Sequence, residues 1–462
     1  MDSLAAPYTP FLFSLPILII GVISFFRMLK KENRNIIRVY ILAFTLQYAT
    51  IPLLGFFIDW SSDSWNYEYS DLETVYTSLY IYLSAILICL FLYDIFAKKF
   101  KILSITDLLI VPYQQIRTKK ILLYFVFTTG FLLLFNIMFG FTYYGSGTRE
   151  KILAVPYYFI VIKSLISILS FGSLGYGITY LIKRGQLNIF ILLFIISQIV
   201  LEPFARRSYL ITFLIIVLFK IIIDGTFFKA KQLFFTAAIG IFITQVFFPF
   251  LFVFRAFTNE VASENKNQGV NYSKAYELSN SNKARYLNKS QNENISYRSN
   301  QIARMSEIMK LPQREGSYMN GVLLGTQIWS VIPRVFNPNK INQPKIMQEG
   351  IIFVFYGRSG YDIPDDFVTY GYLDLGYLGA FLSGLFQGLF LVLFMIFIYR
   401  FYKINKFIAL AVFSCIVYHH TNLEYGYSQE LSLTRELILM LLVSMILSFF
   451  RSFFPKSQFQ SK

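Results

Sequence analysis

Long apolar runs separated by short polar connections make up most of the chain, and one long polar interval interrupts them. The apolar runs cover residues 11–26, 39–57, 75–97, 121–141, 155–182, 189–201, 209–223 and 233–254, then 375–399, 407–418 and 437–450. Runs of this kind are read as membrane helices, because a helix satisfies its own backbone polar groups inside hydrocarbon. The pattern predicts an all-α polytopic membrane protein with about eleven transmembrane helices and one large extracytoplasmic loop. Residues 1–254 carry the first eight spans, 255–372 form the loop, and 373–462 carry the last three spans and a tail. The sixth, tenth and eleventh runs fall short of the roughly 20 residues that cross a bilayer core. Helices so short fit inside a protein bundle, which would set their polar ends, residues 202–209 and 419–426, below the membrane surface.

The loop changes character along its length. From 259 to 314 it is rich in Asn, Ser, Lys and Glu, yet Ile295, Ile302, Met305 and Met309 recur at helical spacing and predict an amphipathic helix. From 316 to 356 it is apolar again, with Val322-Leu323-Leu324 and Trp329 through Arg334. That half is too short and too interrupted by proline to span, so it is expected on the membrane surface or folded back over the bundle.

Composition agrees with a membrane protein. Of 462 residues, 55 % are hydrophobic and only 15 % charged, and the mean hydropathy is +0.53. The net charge of +16 would suggest nucleic acid for a soluble chain; here it is a topology signal instead. Basic residues collect in alternate connections, among them Arg27, Lys30, Lys31, Arg34 and Arg38, then Lys98 to Lys120, Lys183 and Arg184, Arg400 to Lys406, and the tail. The positive-inside rule makes that side cytoplasmic, which puts the amino terminus in the periplasm and the carboxyl terminus inside. The connection from Asp59 to Glu73 carries acids and no Lys or Arg, as an outer connection should. The start lacks the basic flank of a secretory signal, so the first run is expected to be retained. Cys89 and Cys415 lie in apolar runs and read as small buried hydrophobes. His419 and His420 have no partner at metal-ligand spacing, and there is no phosphate-cradling loop or dinucleotide fingerprint, so neither metal nor cofactor is expected.

Cations on the outer side are the departure from this pattern. Arg206 and Arg207 lie between two short helices, Arg149 follows a Tyr-Gly-Ser-Gly-Thr stretch, Arg334 sits in the fold-back half of the loop, and Lys163 lies within the fifth span. Guanidinium forks suit phosphate, and a lipid pyrophosphate is the natural anion at that depth. For Lys163, snorkelling toward the interface is the alternative. Asp365 and Asp366, just before the ninth span, supply a proton acceptor; a carboxylate there could equally cap the helix. His420 and Glu424, on the polar turn after the tenth span, are the next candidates for a base.

Three stretches carry a family likeness: Ala205-Arg206-Arg207-Ser208-Tyr209-Leu210, the Ile332-Pro333-Arg334 element, and Asp366-Phe367 through Gly376-Tyr377-Leu378-Gly379. With the span count and the late loop they resemble the Wzy-type polysaccharide (O-antigen) polymerases, membrane glycosyltransferases related to the O-antigen ligases. The ligases usually have a histidine where this chain has its acidic pair, which favours polymerase. The resemblance implies inverting, metal-independent glycosyl transfer at the outer face of a bacterial inner membrane. Undecaprenyl-pyrophosphate-linked oligosaccharides are then donor and acceptor, a chain-length regulator is a further partner, and nucleic acid has no part. It also implies that Arg206, Arg207 and Arg334 hold pyrophosphate, with Arg149 and Lys163 further candidates by their charge, and that Asp366, with Asp365, is the base. An O-antigen ligase and a lipid-linked sugar flippase are the alternatives.

Overall fold

The computed structural model describes residues 9–30, 33–50, 72–100, 118–139, 156–184, 301–332, 366–421 and 426–453, with scattered positions within 189–197 and 352–356. These residues are helical and contain no strand. The amino-terminal part contains α1 (Thr9–Leu29), α2 (Ile36–Thr45, continued by a π-turn at Leu46–Thr50), α3 (Leu72–Phe100), α4 (Thr118–Met138) and α5 (Tyr157–Arg184). From the loop come α6 (Gln301–Met309), α7 (Leu311–Glu315) and α8 (Val322–Val331). The carboxyl-terminal part contains α9 (Phe367–Ile404), α10 (Lys406–Thr421) and α11 (Tyr427–Phe453). Five helices are long and apolar enough to cross a membrane: those over Leu12–Leu29, Leu72–Ala97, Lys119–Met138, Tyr158–Tyr180 and Phe367–Ile404. The seventh and eighth runs, most of the sixth, and residues 51–71 lie outside the described residues.

Small residues set the closest helix contacts, as expected where lipid gives helices no hydrophobic reason to associate. Gly384 of α9 lies on the Tyr82 carbonyl of α3, and one turn on Gly388 lies on Cys89. Gly172 and Gly175 of α5 do the same against Phe407, Leu410 and Ser414 of α10. At one end of the bundle Asn35 caps α2, accepting from the Arg38 N–H at 2.9 Å, and Arg38 pairs with Asp94 of α3.

α9 is not the straight span expected over 375–399. Leu375 leaves the helical region (φ −141°, ψ 21°), and Gly376 adopts φ +63°, ψ −143°, a conformation open to glycine alone. The limb before this break, residues 367–374, folds back along the limb after it until Gly371 meets Gly379 backbone to backbone, with Ser383 close by. An apolar segment that continued the span would point into the loop; folded back, it buries Phe367, Val368, Tyr370 and Leu373 in the bundle. Consequently the Gly-x-x-Gly stretch marks a reversal of the chain rather than a helix start.

The loop docks on that reversal. Met319 N–H donates to the Leu373 carbonyl (2.9 Å) and Asn320 N–H to that of Asp374 (2.8 Å). The buried Asp374 carboxylate accepts from the first-turn N–H groups of Leu323 and Leu324 in α8, each at 2.9 Å. At the other end of α8, Arg435 of α11 donates to the Val331 carbonyl at 3.0 Å. An acid at the amino end and a cation at the carboxyl end also complement the helix dipole. At ten residues, α8 agrees with the expected fold-back segment that does not span. α6 agrees with the predicted amphipathic helix: Ile302, Met305 and Met309 are buried, and Ile295 is outside the described residues.

Two further boundaries differ from expectation. α11 starts ten residues before the apolar run at 437, so the eleventh span is part of a 27-residue helix that carries Glu430, Arg435 and Glu436. α10 continues through His419 and His420, which lie in its last turn rather than on the turn that follows it.

Candidate functional site

Where α2, α3, α9, α10 and α11 converge, their polar groups meet around one cleft. The fold-back of α9 brings Asp366, Phe367 and Val368 to its wall, the long limb contributes Gln387, α10 brings His419 and His420, and α11 brings Glu430. Tyr40, Phe44 and Tyr48 from α2 and Tyr82 from α3 complete it. Gln387 is eleven residues beyond the break, so the cleft lies about 16 Å along the bundle from the reversal. His419 and His420, at the end of the tenth run, line this cleft. The other polar turn, 202–209, is outside the described residues.

The centre of the cleft is an acid–base pair. His420 Nδ1 lies 3.1 Å from Glu430 Oε1, and both side chains are almost fully buried, with 4 % relative exposure each. Gln387 Nε2 is 3.3 Å from Glu430 Oε1 and 3.3 Å from His420 Nδ1. An amide NH2 and an imidazole N–H can both donate to one carboxylate oxygen, and this arrangement assigns the ring proton to Nδ1. Nε2 is then the basic nitrogen, and among the described residues it has no hydrogen-bond partner; neither has Glu430 Oε2. The imidazole is held in place by the rings of Phe394 (centroids 5.3 Å apart) and Tyr40 (6.0 Å, edge-on). Tyr40 in turn shares a 2.7 Å hydroxyl contact with Tyr82, whose ring stacks on Phe44 at 5.7 Å. Ser383 bonds Tyr427, and Phe367 meets the same Tyr427 edge-on at 4.7 Å, tying both limbs of α9 to the start of α11.

Asp366 is 2 % exposed and has capping geometry. One carboxylate oxygen accepts from Thr369 N–H at 2.6 Å and the other from the Thr369 hydroxyl at 2.9 Å. It lines the cleft, as a candidate base should, but it is buried and satisfied rather than facing an open vestibule. Lys163 belongs elsewhere: its ammonium lies 5.3 Å above the Phe135 ring, in the contact between α4 and α5, and it is not among the residues around the cleft. Arg149, Arg206, Arg207, Arg334, Asp365 and Glu424 lie outside the described residues.

Sequence reasoning singled out Asp366 and His420 and missed Glu430, Gln387, Tyr40 and Tyr82. Gln387 had a readable signal, since it is a lone amide in an otherwise apolar span. Glu430 had a weaker one, lying at helical spacing ahead of the last apolar run, and nothing distinguished two tyrosines among 33. No group of three or more His, Cys, Asp or Glu placed to hold a metal ion occurs among the described residues.

Compared with protein-family models, curated proteins and solved structures, the chain matches none.

Proposed function

We propose that this membrane protein polymerises undecaprenyl-pyrophosphate-linked oligosaccharide repeat units by inverting glycosyl transfer at the periplasmic face of the inner membrane. The observation that carries the reading is the buried His420–Glu430 pair, whose Nε2 has no hydrogen-bond partner among the described residues. In the reaction the acceptor sugar hydroxyl gives its proton to His420 Nε2 and its oxygen attacks the anomeric carbon of the donor. The bond from that carbon to the pyrophosphate oxygen breaks, and undecaprenyl pyrophosphate leaves with the electron pair. Glu430 orients the imidazole and stabilises the imidazolium that forms, with Gln387 fixing the carboxylate. Arg206, Arg207, Arg334 and Arg149 are the groups suited to the departing pyrophosphate, where negative charge develops. In this scheme Asp366 caps the short limb of α9, and the role of base passes to His420.

The histidine also bears on the ligase alternative, since Asp366 shares its cleft with one. A flippase has support too, because His420, Glu430 and Arg38 are ionisable groups buried within the bundle, a pattern typical of transport pathways. Size-resolved surface glycans from a deletion strain separate the three. A polymerase leaves caps of one repeat unit, loss of a ligase leaves no caps, and loss of a flippase traps lipid-linked units on the cytoplasmic face.

A further inference from the structure

We infer, resting on the polymerase reading, that the cleft takes a hydroxyl of an uncharged or amino-bearing sugar and rejects acidic sugars. The terminal residue of the acceptor unit is then not a uronic acid, and the pyrophosphate is bound elsewhere. Three observations carry this. First, the free space around the cleft is about 280 Å³ counting open solvent at its mouth, but within it there is room for one water molecule at most. That is the size of a hydroxyl group, so the rest of the sugar stays at the mouth. Second, His420 Nε2 and Glu430 Oε2, which have no hydrogen-bond partner among the described residues, are both acceptors when the imidazole is neutral, and they call for a donor such as a hydroxyl. The Tyr40–Tyr82 contact uses one of its two hydroxyl hydrogens, which leaves the other to donate to a sugar oxygen. Third, the charged side chains around the cleft are carboxylates, Asp366 and Glu430, and no Lys or Arg is among its described lining residues. A phosphate or substrate carboxylate held at the mouth would face like charge across a poorly solvated space, whereas an uncharged ring there would not.

The test uses the full chain in proteoliposomes with the lipid-linked unit isolated from deletion cells and a synthetic analogue bearing a carboxylate at C6 of its terminal residue. The expected result is elongation of the native unit and elongation of the acidic analogue slower by about 10- to 100-fold. The ratio of the two rates should narrow in Asp366→Asn, which removes one charge and keeps a capping side chain; being a ratio, it does not depend on that variant's overall rate. Equal rates for both units, or a uronic acid at the native acceptor end, would overturn the charge selection and leave the polymerase reading standing. Elongation of neither unit would instead remove the polymerase reading on which the inference rests.

Discussion

Gly371 and Gly379 meet backbone to backbone although they lie eight residues apart, a separation that an unbroken helix would stretch to about 12 Å. The reversal at Gly376 makes the contact, and the contact in turn positions Asp366, Phe367 and Val368 on the cleft. A Cβ on Gly379 would overlap the Gly371 carbonyl, and backbone cannot step aside as a side chain can. Gly379→Ala should therefore cost at least about 3 kcal/mol, the upper part of the overpacking range. Gly130→Ala is the control, because nothing lies within 4 Å of its added methyl. Equal thermal unfolding of the two variants in detergent would show that the two limbs do not pack this way.

Asp374 holds α8 in place. Truncating it to Ala removes the acceptor of two first-turn N–H groups, those of Leu323 and Leu324, at about 1–3 kcal/mol for each buried donor left unsatisfied. Asn retains one acceptor oxygen and should cost about half as much. Arg435→Ala frees the opposite end of the same helix. Limited proteolysis over 316–332 reads both effects: cleavage should quicken in Asp374→Ala, less in Asp374→Asn, and most in the double variant. Unchanged cleavage in all three would mean that other contacts hold α8.

These two devices show where the sequence was legible. The apolar runs at 11–26, 75–97, 121–141 and 155–182 became helices within a few residues of their expected limits, because hydropathy alone decides whether a segment is helical in lipid. The path of residues 366–379 was not legible, since apolar Phe367–Leu373 is compatible with a span, a surface helix or a reversed limb. Only the positive φ at Gly376 and the fit of Gly371 against Gly379 select among these, and both depend on tertiary packing. Glu430 escaped notice for a related reason: a charge ahead of an apolar run reads as the membrane boundary, yet α11 continues through it and buries it against α9 and α10. His420 was marked as a polar end of a short helix, and it lies buried in the last turn of α10.

The pyrophosphate site is tested outside the described residues. Arg206→Ala and Arg207→Ala should each abolish polymer without removing the protein from the membrane, with Arg334→Ala behaving similarly. Lys at 206 or 207 should restore little, because an ammonium cannot reproduce the bidentate fork of a guanidinium. The measurement is the length distribution of surface glycan, with membrane levels of each variant as the control. Normal chain lengths in Arg206→Ala/Arg207→Ala together would take both residues out of the mechanism.

The base is decided by comparing three substitutions. If His420 Nε2 accepts the proton, His420→Gln keeps a polar group of similar reach and loses basicity, so turnover should drop by about 10²–10⁴ while binding of the lipid-linked unit persists. Glu430→Gln leaves an oxygen for the Nδ1 proton but no charge to stabilise the imidazolium, and its defect should also fall mainly on kcat. Asp366→Asn is the contrast. Both Asp366 oxygens are engaged by Thr369, and Asn caps a helix nearly as well as Asp, so the loss should stay below about tenfold. The opposite ranking, with Asp366→Asn inactive and His420→Gln active, would return the role of base to the carboxylate at the start of α9. The double variant His420→Gln/Glu430→Gln adds a further constraint: two residues acting as one unit should together lose little more than His420→Gln alone, whereas independent contributions would multiply.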